Sequence, residues 1–253
     1  MYDAPLVPFW LELLALATAG LVAGTLNVLA GGGSFLTLPL LIFFGLPSAL
    51  ANGTNRVGVM AQNIGGIWGF HRHGVLDWRW ATVASGSALV GAALGVWAAL
   101  EVPDFAFRRI LSIAMVLITL WSMLAPRPGA TTGVLRSPTH PLVVGGFFLV
   151  GLYGGFIQAG VGFLVLAITT AAGMDLVRGN AVKVLSVLLF TVLSLVVFAG
   201  AGQVDWPRGL ALGAGNFLGG FVGVRLAVLR GHAWLQQVVT VMVVIFAVML
   251  WLG

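Results

Sequence analysis

The chain has 253 residues, 60% of them apolar and 8% charged, with a mean hydropathy of +1.08. A soluble domain carries about a quarter charged residues, so the composition excludes one and identifies an integral membrane protein. The net charge of +5, from 12 Lys and Arg against 7 Asp and Glu, is too small to coat a nucleic acid and reads as loop charge that orients the chain in a bilayer; the absence of cysteine removes disulfides, thiolate metal sites and cysteine nucleophiles together.

A hydrocarbon core of about 30 Å needs about 20 apolar residues per helix. Runs near that length occupy 7–30, 51–70, 80–100 and 107–125 in the first half of the chain. The first run follows Asp3 and contains Glu12, with no basic leader, and is expected to be retained rather than cleaved. Pro126, Pro128, Pro138 and Pro141, with Gly129 and Gly133, then mark a linker at 126–140. Four more runs follow at 141–159, 178–199, 207–229 and 234–252. Two shorter apolar stretches, Ser34 to Phe44 and Phe163 to Ala172, each follow a glycine-rich turn and stop beside Gly45 or Gly173, and they read as short or broken helices. The expected architecture is all-α: one polytopic membrane domain over 1–253, with a first repeat at 1–125 and a second at 141–253, about five segments in each.

The repeat is visible as a constant offset. Asp77-Trp78 recurs as Asp205-Trp206, and the difference between positions 205 and 77 is 128. The same offset pairs Gly32 with Gly160, Phe35 with Phe163, Gly45 with Gly173, Asn52 with Asn180, Gly74 with Gly202, Gly91 with Gly219 and Gly95 with Gly223. Matched asparagine, Asp-Trp and glycine pairs without a gap are hard to obtain by chance in so apolar a chain. If each half crosses five times, Arg72, Arg79, Arg127, Arg136, Arg178, Arg225 and Arg230 fall on one face against Arg108, Arg109 and Arg208 on the other. Four crossings with re-entrant short segments erase that asymmetry, so inverted repeats with both termini outside are expected.

Two motifs carry chemistry. Asn27 to Ser34 places Gly31, Gly32 and Gly33 at a helix start, and its mate runs from Gln158 through Gly160 to Gly162. Consecutive glycines unwind the backbone, and two broken-helix N-termini meeting near the midplane present N–H donors and partial positive charge that suit an anion. The competing reading makes these glycines packing residues, as Gly91 with Gly95, Gly215 with Gly219 and Gly219 with Gly223 are expected to be. The second motif is Asn52-Gly53-Thr54-Asn55-Arg56, with Gln62 and Asn63 two turns on; its mate is Asn180-Ala181-Val182-Lys183. Each half thus sets an amide and a cation near a helix start, where the alternative is a cation snorkelling to the interface.

Other chemistry finds no carrier. Apart from Glu12, no carboxylate falls within a span, which leaves no acidic proton relay. His71 and His73 flank Arg72 in a loop and read as interfacial charge rather than metal ligands. No Ser-His or Gly-x-Ser-x-Gly arrangement supports an enzyme, and the Gly31 to Gly33 run lacks the ending of a phosphate loop. No metal or other cofactor is expected, and Trp10, Trp68, Trp78, Trp80, Trp206, Trp234 and Trp251 read as interfacial anchors.

The run Asn27 to Pro39, Ala51 to Arg56, and the echoes Gly154 to Gly162 and Gly179 to Lys183 resemble the sulfite exporter TauE/SafE family, also called TSUP permeases, over essentially the whole chain. The resemblance implies a bacterial or archaeal inner-membrane permease for small sulfur-containing anions such as sulfite, sulfonates or sulfoacetate. Gly160-Val161-Gly162 lacks the serine of the first-half motif, so the halves need not contribute equally. The expected substrate-binding set is Asn27, Gly31, Gly32, Gly33, Ser34, Asn52, Asn55, Arg56, Gln158, Gly160, Gly162, Asn180 and Lys183. Expected partners are a small anion and the lipid bilayer, not nucleic acid, with a homodimer left open. A cation or other small-solute permease of the same architecture is the nearest alternative, followed by an intramembrane enzyme.

Overall fold

A computed structural model of the chain describes residues 8–29, 31–124 and 135–229. The expected segment at 234–252 and most of the linker, with Arg127, Arg230, Trp234 and Trp251, lie outside the described residues. Among those described there are nine helices and no strand: α1 (Phe9–Leu29), α2 (Ser34–Phe43), α3 (Ser48–Arg72), α4 (Trp78–Glu101), α5 (Asp104–Leu124), α6 (Pro141–Phe156), α7 (Val161–Ala171), α8 (Leu176–Gly200) and α9 (Trp206–Leu229). Four of them (α1, α4, α8 and most of α9) are long and apolar enough to cross a membrane. The short stretches form the 10-residue α2 and the 11-residue α7.

The offset of 128 moves α3 onto α8 and α4 onto α9 residue for residue. Local sequence sets these ends. Asp77 caps α4 by accepting the Trp80 N–H at 2.9 Å, and Asp175 caps α8 by accepting from Val177 and Arg178 at 2.9 Å each. The turns that follow α2, α3, α7 and α8 carry left-handed glycines in repeat-matched pairs, Gly45 with Gly173 and Gly74 with Gly202.

Between apolar helices in lipid the hydrophobic effect supplies little attraction, so close backbone approach has to hold them. Gly91 and Gly95 of α4 lie against the Phe148 and Leu152 carbonyls of α6, while Gly151 and Gly155 of α6 lie against Ala88 and Ala92 of α4. The same interlock recurs between α1 and α9, where Gly215 and Gly219 meet Ala17 and Leu21, and Gly20 and Gly24 meet Leu212 and Asn216. Gly91, Gly95, Gly215 and Gly219 are among the glycines expected to pack. Since α1 belongs to the first half and α9 to the second, each tight pair mixes the repeats.

The contacts also fix direction. Ala17 against Gly215 and Leu21 against Gly219 make α1 and α9 parallel; Val57 against Gly209 and Gly66 against Gly220 make α3 and α9 parallel. Likewise α4 runs parallel to α6. In contrast Gly53 touches Phe198 and Gly66 touches Val184, so α3 and α8 are antiparallel. The helices therefore fall into two sets by direction, α1, α3 and α9 in one and α4, α6 and α8 in the other. Each helix α1, α3 and α4 runs opposite to the other half's equivalent helix, an arrangement compatible with inverted repeats. Arg72, Arg79, Arg136, Arg178 and Arg225 gather toward one end of the bundle, and Arg108, Arg109 and Arg208 at the other. At that second end Arg208 donates to Glu12 at 2.7 Å and to Asp205 at 2.6 Å, and the Asp205 N–H donates to Thr54 at 2.9 Å, tying α1, α9 and α3 together.

If the halves are inverted, Val75→Cys and Gln203→Cys, repeat-equivalent loop positions, label from opposite sides of the membrane; same-side labelling contradicts it. Gly95→Val puts a side chain into the α6 backbone, where even a Cβ lies 2.8 Å from the Phe156 nitrogen, and is expected to cost about 1–3 kcal/mol or more, read as loss of monodisperse protein from detergent.

Candidate functional site

The two halves meet where their first helices break. Helix α1 stops at Leu29 and α2 starts at Ser34; α6 stops at Phe156 and α7 starts at Val161. Gly31, at φ +89°, and Gly162 touch backbone to backbone, so a Cβ on either overlaps the other strand of chain. Gly160, at φ +75°, has the ring of Phe35 where its side chain would be. Gln158 adopts φ +68° without being glycine, a conformation tolerated where surrounding contacts hold it.

Each break leaves helix carbonyls without a partner in the chain that follows, and a cation from the opposite half takes them. The ammonium of Lys183, on α8, donates to the carbonyls of Asn27 and Val28 at the end of α1, at 2.8 and 3.0 Å, and its third bond goes to the Asn180 side-chain oxygen. The guanidinium of Arg56, on α3, donates to Gly154 at 3.2 Å and to Gly155 at the end of α6, and lies 4.7 Å from the Phe198 ring centroid. Asn52 adds a bond to Phe156 at 2.7 Å. Asn27 and Gly155 are repeat equivalents, so the capping is reciprocal. Arg56 is 0% exposed and Lys183 2%, so neither snorkels.

Between the breaks, α3 and α8, lies a cavity lined by Asn27, Ser34, Val59, Gln62, Asn63, Gln158, Val161, Gly162, Lys183 and Val187. Ser34 with Gly162 and Val59 with Val187 are repeat equivalents, so both halves bring matching positions to the cavity. It has room for about one water, so a larger solute requires it to widen. Asn27 organises one wall: its oxygen accepts the Gly33 N–H at 3.1 Å, and its NH2 donates to Ser34 at 3.1 Å and to Gln62 at 2.8 Å. On the other wall Gln158 pairs with Thr191, and the Gln158 side-chain oxygen is buried without a partner.

Of the residues singled out from sequence, Asn27, Ser34, Gln158, Gly162 and Lys183 line the cavity. Gly31, Gly32, Gly33 and Gly160 build the buried turns behind it. Asn52, Asn180 and Arg56 serve the caps, and Asn55 accepts from Thr37 at 2.6 Å. Val59 and Val187, with Thr191 behind them, were missed, while Gln62, Asn63 and Val161 were named within the two motifs but left out of the expected binding set. Asn52, Asn55, Arg56, Val59, Gln62 and Asn63 recur at spacings of three and four, one face of α3, and that signal was available.

A family model described as sulfite exporter TauE/SafE matches residues 16–250. The chain belongs to the TauE/SafE family. It is 28% identical over 236 residues to a probable membrane transporter protein of Haemophilus influenzae, covering 92% of each chain. It is also 29% identical over 224 residues to the probable membrane transporter protein YfcA of Escherichia coli, 87% of this chain and 82% of that one. A third relative, the probable membrane transporter protein ORF9 of a Sinorhizobium species, is 27% identical over 236 residues. No solved structure matches the chain. This is a multi-pass membrane transporter of the TauE/SafE family.

The caps give a stability test. Arg56→Met strands the Gly154 and Gly155 carbonyls, at about 1–3 kcal/mol each, and is expected to lower the unfolding temperature in detergent, with Arg56→Lys restoring part of the loss.

Proposed function

We propose that this transporter is a secondary permease of the bacterial or archaeal inner membrane for small sulfur oxyanions such as sulfite, sulfonates or sulfoacetate, bound in the cavity. The observation that carries the reading is the cavity's lining: a lysine, four amide or hydroxyl side chains on the first half and Gln158 on the second, with no carboxylate among the described lining residues. The first turns of α2 and α7, at Ser34 and at Val161 and Gly162, add the positive ends of two helices. Lys183 contributes its charge, since its three protons already serve α1 and Asn180.

The arginine-rich end, with Arg72, Arg79, Arg136, Arg178 and Arg225, is assigned to the cytoplasm by the preference for basic residues inside. With the interior negative, about 100 mV drives each outward negative charge by roughly 2.3 kcal/mol, so export needs no coupled ion, whereas import needs one. Arg56, Asn52, Asn55 and Asn180 act in this reading as positioning residues, and Gly31, Gly32, Gly33 and Gly160 as the backbone that lets the breaks meet.

Radiolabelled sulfite and methanesulfonate should move across proteoliposomes containing the protein, while labelled sodium alone should not. Lys183→Met should raise the anion dissociation constant by about tenfold or more by calorimetry, through loss of a positive charge beside the anion. Cation flux without anion flux overturns the reading.

A further inference from the structure

Resting on the anion reading above, we propose that Gln62 is the charge-selecting contact of the site: its side-chain NH2 is turned toward the cavity by a hydrogen-bond relay from the Gly33 N–H through Asn27 and meets the substrate oxygens.

The relay begins with a group whose polarity is fixed. A backbone N–H only donates, so the side-chain atom of Asn27 at 3.1 Å from the Gly33 nitrogen is its oxygen. The Asn27 NH2 therefore points the other way, and its two protons go to Ser34 at 3.1 Å and Gln62 at 2.8 Å. Gln62 must then present its oxygen to Asn27, which turns the NH2 group away from Asn27. Ser34, having accepted, keeps its own hydroxyl proton. Gln62 and Ser34 both line the cavity.

Other acceptors on this wall carry bonds as well, and the Asn63 NH2 is engaged with the Val59 carbonyl at 2.8 Å. The Asn27 and Val28 carbonyls take Lys183, and the Asn27 side-chain oxygen takes Gly33. An oxyanion entering here meets the Gln62 NH2 and the Ser34 hydroxyl proton. The opposite wall lacks this fixed direction, because the Thr191 hydroxyl bonded to Gln158 can either accept or donate, and Gln158 can turn either end inward. The repeat equivalent of Gln62 is the fully buried Phe190, so the oriented amide exists on one wall alone.

Gln62→Glu separates selection from architecture. The carboxylate still accepts from Asn27, so the relay and the fold are retained, while the inward NH2 becomes a charged oxygen. Gln62→Met is the neutral counterpart, which removes the donor without adding charge. Binding of sulfite and of methanesulfonate is measured by calorimetry on the purified full chain, with the unfolding temperature recorded for each variant. Affinity is expected to fall by about tenfold in Gln62→Met and by about a hundredfold or more in Gln62→Glu, at an unfolding temperature close to that of the unmodified protein in Gln62→Glu. Should Gln62→Glu not fold, the loss in Gln62→Met decides. Unchanged affinity in the folded variants overturns the assignment and leaves the anion reading standing. Equal losses in both variants that track a fall in unfolding temperature also overturn it, since they describe a structural role. An unmodified protein that binds neither anion overturns the anion reading and this assignment with it.

Discussion

A helix that ends inside hydrocarbon leaves carbonyl groups that no water reaches, and each costs several kcal/mol until something donates to it. Among the described residues α1 and α6 end this way, and each end is met by a buried cation from the other half. A buried cation is as unfavourable alone as the carbonyls are, so each defect is the remedy of the other. The arrangement is reciprocal: α8 caps α1, and α3 caps α6. Neither half can complete its own broken helix, which ties the backbone geometry of the breaks to the packing of the whole bundle.

The caps also shape the electrostatics between the breaks. A broken helix presents a negative C-terminal end and a positive N-terminal end close together, and the two fields oppose each other if both are left open. Lys183, Arg56 and Asn52 satisfy carbonyls at the ends of α1 and α6. What remains facing the cavity is the starts of α2 and α7, with Asn27 and Gln62 oxygens that already accept bonds. The positive helix ends at the cavity are thus a consequence of how the opposite helix ends are satisfied, with Lys183 the one cation among the described lining residues.

Much of this was legible before any coordinates. The offset of 128 relates α3 to α8 and α4 to α9 without a gap, the glycine-rich runs fall at the breaks, and the small-residue stripes face neighbouring helices. The targets of the cations were not legible, because Lys183 reaches carbonyls 155 and 156 residues away and Arg56 reaches carbonyls 98 and 99 away. The alignment of the halves also misled at that point, matching Lys183 with Asn55 while the capping arginine stands one residue on. Gln62 and Asn63 were harder to weigh than Asn52, because their equivalents Phe190 and Thr191 hide them from any argument based on repetition. A residue that one half has and the other lacks is where a duplicated site acquires a direction.

That asymmetry extends to the caps. Guanidinium is a planar fork that holds two carbonyls in one geometry, and Arg56 is further held against Phe198 away from the cavity. Ammonium is compact with three rotatable donors, and Lys183 lines the cavity. The glycine interlocks hold α1 with α9 and α4 with α6, and α3 meets α8 across the boundary between these two sets of helices. Both cations cross that boundary, Lys183 toward α1 and Arg56 toward α6. A cavity with room for about one water must widen to take an oxyanion, and widening by separating the two sets pulls directly on these bonds. The Lys183 cap, whose donors can rotate to new acceptors, yields at lower cost than the Arg56 fork. In the anion reading proposed above, an anion that attracts the ammonium acts on a bond that crosses this boundary.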